Sequence, residues 1–184
     1  MVGKAMEAGA TAGYELIAAW DGGVLRPVEK LEVHRRGLRH KAVSVFVIAG
    51  GDTLLQQRAL GKYHTPGLWS NACCTHPRWR EPAEACASRR LLEELGIPGD
   101  GLVHRGRVVY RAPVGGGLIE HEEVEIFTLD VLGRIAVEAN PEEVADTRWL
   151  SFDDLVAEVR AGPEAFTPWL AIYLQQHRPL LQRA

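Results

Sequence analysis

Glu120 and Glu122 stand on either side of a histidine in the segment GLIEHEEVEIFTLDV. In an extended strand, residues two apart share a face, so both carboxylates point the same way. Val124 and Ile126 continue that face, while His121, Glu123 and Glu125 continue the other. Carboxylates aimed along an apolar face need a metal ion, a proton or cations to offset the cost of leaving water. The competing reading is a solvated strand with its faces assigned the wrong way round. Three histidines bear on the choice: His34 and His40, ahead of the first long strand, and His76, at the end of WSNACCTH. Imidazole nitrogen with carboxylate oxygen suits a first-row divalent ion such as Zn, Mn or Fe. Their spacing matches no local metal motif, and residue chemistry alone does not assemble them into one site.

Cys74 and His76 are also two apart, which singles out Cys74 over Cys73 as the thiol that shares a face with a candidate ligand. A thiol can exchange protons with carbon when nearby charge adjusts its pKa; the alternative is a small core residue. A further acid cluster lies in RRLLEELGI, where Arg90 and Glu94 are four apart on one helical face with Glu93 beside them. A solvated helix surface would carry the same residues.

These groups need elements to position them. YELIAAW-DGG-VLRPVEK reads as a hairpin, followed by a polar link containing His34 and His40. KAVSVFVIAG and TLLQQRAL form a second hairpin over 41–60, GKYHTPGL a loop, and WSNACCTH a short extended segment. EPAEACASRRLLEELGI is a helix with Pro82 near its first turn and Gly96 at its end. Strands follow at 102–112 and 118–131, then TRWLSF, a helix from SFDDLVAEVRAG, and a terminal amphipathic helix over TPWLAIYLQQHRPLLQR. Mixed strands and helices with hairpins rather than regular βαβ units predict an α/β (α+β) sandwich around a mixed sheet. Residues 1–12 read as a disordered tail, and 13–184 as one domain.

Bulk properties narrow the partners. At 184 residues with 46% hydrophobic and 24% charged residues, the chain can bury a core and stay soluble. A formal charge of -3 without a basic run argues against nucleic acid but leaves room for a small anion held by local Arg and Lys. Three cysteines, two adjacent, suggest free thiols in a reducing compartment. With no signal sequence and no membrane-length apolar stretch, a cytoplasmic monomer is expected.

The helix and its approach resemble the Nudix box: a Gly, five residues, Glu, seven residues, Arg-Glu, two more, Glu-Glu, one, then Gly and an aliphatic residue. Aligned on Gly96-Ile97, Glu93 and Glu94 are the paired acids, Arg89 the Arg and Glu81 the first Glu. Thr75 replaces the leading Gly, and Arg90 replaces the Glu after Arg89. A cation inside the metal-holding acid cluster weakens a hydrolase reading. LLQQRALGKYHTPGLWSNACCTHP, then RRLLEELGI, Tyr110, IEHEE and FTPW resemble, in this order, the type 1 isopentenyl-diphosphate isomerases of the Nudix superfamily.

The resemblance implies a Nudix-type α/β/α sandwich. It implies interconversion of isopentenyl and dimethylallyl diphosphate by protonation and deprotonation of carbon, feeding isoprenoid biosynthesis. Its metal site falls on His34, His40, His76, Glu120 and Glu122, for Mn2+ or Zn2+. The catalytic thiol falls on Cys74, the opposing acid on Glu122, with Tyr110 assisting. Glu94 would hold Mg2+ with the diphosphate, Lys30, Arg58, Lys62 and Arg90 would surround the phosphates, and Trp169 would cover the hydrocarbon. His34 and His40 are one residue closer than in some members. The alternatives are a Nudix-type diphosphate hydrolase and a non-catalytic isoprenoid-diphosphate-binding domain; Arg90 opposes the first, and the Cys74/Glu122 pair the second.

Overall fold

A computed structural model describes residues 15–181, so the tail expected at 1–12 lies outside the described residues. The chain opens with the first expected hairpin, β1 (Leu16–Asp21) and β2 (Val24–Glu29). The expected polar link is instead mostly a helix, α1 (Lys30–Arg36), so His34 is helical. Glu29 caps it by accepting from the Leu31 and Glu32 amides at 2.9 and 2.8 Å. Gly37 ends it in the left-handed conformation.

His40 begins β3 (His40–Ala49), which is followed by β4 (Asp52–Arg58). These strands start as the expected hairpin but pair only at Ile48–Thr53 and Ala49–Asp52. Beyond that they diverge. β3 instead runs parallel to β8 (Ile119–Val131) over ten residue pairs, from His40–Glu122 to Ala49–Val131. The segment WSNACCTH splits into β5 (Trp69–Asn71), which pairs with β4, and β6 (Cys73–Thr75), which pairs with β3. α2 (Ala83–Leu95) is capped by Pro82 and closed by Gly96. β7 (Val103–Pro113) pairs with β8, and β9 (Val144–Ser151) pairs with β4, which completes a nine-stranded mixed sheet among the described residues.

α3 (Phe152–Ala161) and α4 (Pro168–Gln176) close the described chain, with a 3-10 turn at Arg178–Leu180. The terminal helix is therefore shorter than expected, with the chain leaving α geometry at His177 before Pro179. Strand alternation divides the core in two. Phe46, Ile48, Val124 and Ile126 pack with Leu155 of α3 and Leu170 and Tyr173 of α4. Val43, Val45, Val47 and Phe127 pack with Ala87, Leu91 and Leu95 of α2. Helices thus cover both faces of the sheet. No helix among the described residues is long and apolar enough to cross a membrane.

Candidate active site

Register brings the polar residues together on the α4 side of the sheet. β8 carries Glu120 and Glu122 on the face of Val124 and Ile126, and all four are buried. Tyr110 of β7 lies opposite Glu122, and His40 of β3 lies opposite it on the other side. Further along β3, Ser44 lies opposite Cys74 of β6. Cys73 points to the other face, buried among Ala87 and Leu91 of α2, with Sγ 3.6 Å from Glu94 Oε1. The period of two thus puts one cysteine in the cleft and its neighbour in the core.

At one end of the cleft, His34, His40, His76 and Glu120 hold their ligand atoms within 4.8 Å of one another, all buried. Glu120 Oε2 lies 3.0 Å from His34 Nε2, 3.1 Å from His40 Nε2 and 3.8 Å from His76 Nε2. Glu122 Oε1 lies 2.9 Å from His76 Nε2 and 3.7 Å from His40 Nε2. His34 Nδ1 and His40 Nδ1 sit 2.6 and 2.8 Å from the Lys30 and Leu38 carbonyls. A carbonyl only accepts, so each Nδ1 carries a proton and each Nε2 is turned to the centre, the arrangement of ligating histidines.

The electrostatics favour positive charge there. Burial opposes the charged form of His40, yet Glu120 and Glu122 raise its pKa to about 10. Burial and the Glu120 charge oppose ionisation of Glu122, but hydrogen bonds from His40 and His76 hold it below the usual carboxylate range. Burial likewise opposes ionisation of Glu120, and four histidines hold it well below that range. Two buried carboxylates converging on imidazole nitrogens make a donor set that fits a divalent ion.

Beside this cluster the Tyr110 hydroxyl donates to Glu122. Cys74 Sγ lies 3.0 Å from Ser44 Oγ and 3.0 Å from Asn71 Oδ1. Burial, together with the Glu122 charge and against the Ser44 hydrogen bond, pushes the Cys74 thiol up to about 12. Trp169 of α4 is buried and donates its indole N–H to Ser70 Oγ at 2.9 Å. Cys74, Glu122, Tyr110 and Trp169 all line one cleft.

Cations occupy the same walls. Lys30, Arg58, Lys62 and Arg90 line the cleft. Lys30 pairs with Glu15 at 2.9 Å, Lys62 with Glu143, and Arg90 with Glu94 and Glu143 at 2.7 and 3.0 Å. Arg58 is buried, held by the Thr65 and His64 carbonyls at 3.2 Å each, and stacks 5.3 Å from the Trp169 ring centre. Among the described residues it has no carboxylate partner, which leaves a buried positive charge for an incoming anion. Glu94 is buried behind the wall, where it accepts from Gln56 Nε2 at 3.0 Å and from Arg90. In the damaged box, Arg89 pairs with Glu81 at 2.7 Å and with Glu93 at 3.0 Å.

Sequence reasoning passed over His64, whose Nε2 lies 2.9 Å from Glu120 Oε1. Burial, its largest influence, lowers its pKa despite that carboxylate. His64 sits in an irregular loop where no periodicity assigns a face. Ser44 carried a legible signal, an isolated polar residue within the apolar run KAVSVFVIAG.

The NUDIX domain family model matches residues 38–170. The isopentenyl-diphosphate Delta-isomerase of Rhodobacter capsulatus is 60% identical over 167 residues, covering 91% of this chain and 95% of that protein. The chain belongs to the isopentenyl-diphosphate Delta-isomerases. The isomerase of the same name from Cereibacter sphaeroides is 60% identical over 163 residues, covering 89% and 92%. DR0079 from Deinococcus radiodurans has the same fold at a TM-score of 0.69, with 16% identity and coverage of 88% of this chain and 98% of that one. At that identity the likeness speaks for the Nudix fold alone.

Proposed function

We propose that the chain interconverts isopentenyl diphosphate and dimethylallyl diphosphate, with Cys74 and Glu122 as the two proton-transfer groups. The supporting observation is that a thiol and a carboxylate, carried by different strands, line one cleft beside an aromatic wall. The isomerisation adds a proton to the terminal alkene carbon and removes one from the carbon two positions away, through a tertiary carbocation or a species close to it. In the reverse direction each group takes the other role. Tyr110, donating to Glu122, orients that carboxylate and can relay its proton. Trp169 offers its ring face to the developing cation, worth about 0.5–2 kcal/mol, and excludes the water that would capture it.

The diphosphate anchors the substrate away from the reacting carbons. Arg58, Lys62, Arg90 and Lys30 supply its counter-charge, and this remote binding free energy fixes the alkene between the proton-transfer groups. His34, His40, His76, Glu120 and Glu122 would hold Mn2+ or Zn2+, and Glu94 would hold Mg2+ together with the diphosphate. The bound ions supply positive charge that tunes the acidity of Glu122 and offsets the phosphates. The protein acts on this small substrate as a cytoplasmic monomer.

The test is incubation with isopentenyl diphosphate, Mg2+ and Mn2+ or Zn2+ in deuterated water, followed by NMR. Dimethylallyl diphosphate carrying solvent deuterium is the expected product. Phosphate release would mark a hydrolase, and unchanged ligand a binding domain. Cys74→Ala should lower turnover by roughly 10²–10⁴-fold, while Cys73→Ala retains it; the opposite pattern would overturn the assignment of the thiol.

A further inference from the structure

The two oxygens of Glu120 have different surroundings. Oε2 faces His34, His40 and His76 at 3.0, 3.1 and 3.8 Å. Oε1 faces His64 Nε2 at 2.9 Å. An ionised carboxylate only accepts, so His64 Nε2 carries the proton. Its Nδ1, 3.0 Å from Thr65 Oγ1, then accepts from that hydroxyl. This is the reverse of His34 and His40, whose Nδ1 protons go to backbone carbonyls and whose Nε2 atoms face the centre. His64 also stands outside the group of His34, His40, His76 and Glu120, whose ligand atoms all lie within 4.8 Å of one another.

We propose that His64 is a positioning residue, which holds Glu120 Oε1 so that the carboxylate presents Oε2 alone to the metal. The proposal rests on the reading of His34, His40, His76, Glu120 and Glu122 as a metal centre. The loop that places His64 also serves the anion-binding wall. The carbonyls of His64 and Thr65 hold the Arg58 guanidinium, and the His64 ring meets Trp169 edge-on at 5.9 Å. Thr65 has φ 45°, a conformation that a β-branched residue rarely takes. It persists because the ring, both carbonyls and Arg58 fix the loop together. His64 thus ties the geometry of Glu120 to that of the phosphate-facing arginine.

The test uses the full chain, stripped with a chelator and titrated with Co2+ alone, reading affinity and the visible d–d spectrum. His64→Ala should weaken Co2+ binding by about 10–100-fold and alter the spectrum, because Glu120 is then free to rotate. His64→Gln, whose amide nitrogen reaches the Nε2 position, should restore affinity to within about threefold. His64→Asn, which reaches only the Nδ1 position, should behave like the alanine variant. If these variants fail to fold, Thr65→Val removes the hydroxyl that fixes the ring and should weaken binding in the same direction.

Co2+ affinity within about twofold of the parent, with an unchanged spectrum, in every folded variant among Ala, Asn and Thr65→Val overturns the proposal. So does loss of metal in His64→Gln as complete as in His64→Ala, which would make His64 a ligand. A parent chain that takes up no Co2+, or Glu120→Gln binding it undiminished, would instead sink the underlying metal-site reading.

Discussion

Lys62 sits among Arg58, Arg90 and Lys30; burial first, and then those cations, lower its pKa to about 8 against the pull of Glu94. Its ordinary value is 10.5, so between the two the unfolded chain binds more protons than the folded one. Stability from this group therefore rises with pH through that window, and the charged amine is a cost below it. Anion binding runs the opposite way, because a diphosphate favours the charged form. Affinity for isopentenyl diphosphate should fall as pH rises from about 7 to about 9, and Lys62→Arg, which keeps its charge, should weaken less. Calorimetric titration of both proteins across that range decides it; parallel pH profiles would count against Lys62 as a phosphate contact. At this scale the sequence offered side-chain chemistry and local faces. It did not show that Arg58 would be buried without a carboxylate partner among the described residues while Lys62 would be shared with Glu143.

α1 shows what a short element conceals. Seven residues make barely two turns, too few for periodicity to stand out, and an isolated helix of that length does not persist in water. Packing of Val33 and the Glu29 cap stabilise it in place. Gly37 then reverses the chain at φ 60°, and a Cβ there would meet Ile119 Cδ1 at 3.3 Å. Gly37→Ala should therefore cost about 1–2 kcal/mol from the left-handed backbone alone. Because Gly37 lies between His34 and His40 and against the residue before Glu120, the same change should lower metal affinity. Denaturant melts with metal titrations measure both, and a variant as stable and as metal-avid as the parent would contradict the role of this turn. α2, in contrast, was legible from Pro82, its leucine stripe and Gly96, because thirteen residues repeat their pattern over several turns.

Across the whole molecule, the cluster joins α1, β3, β8 and the residue after β6, so an ion bound there ties together distant parts of the chain. An ion present at 100 times its dissociation constant stabilises the native state by about 2.7 kcal/mol. For a chain of this size, chelation should lower Tm by about 5–10 °C. Scanning calorimetry with and without a chelator, followed by return of the ion, measures this. No shift, or a shift that Glu120→Gln leaves intact, would place the stabilising ion elsewhere.

What the sequence determined by itself was local. It set the shared face of Glu120, Glu122, Val124 and Ile126, the opposite aims of Cys73 and Cys74, the extent of α2, and an Arg90 where the Nudix box carries an acid. The faces and the helix follow from a repeat of two or 3.6 residues, which neighbours in the chain suffice to express, and the place of Arg90 from the resemblance to the box. The tertiary structure decided the convergence. β3 leaves β4 after two pairs and takes β8 instead, which sets His40 beside Glu122 across 82 positions of sequence. The 59–68 loop brings His64 to Glu120 through bonds from Arg58 to its own carbonyls. Pairing of this kind depends on long-range register and on which buried polar groups find partners, and neither is written in the spacing of any one segment.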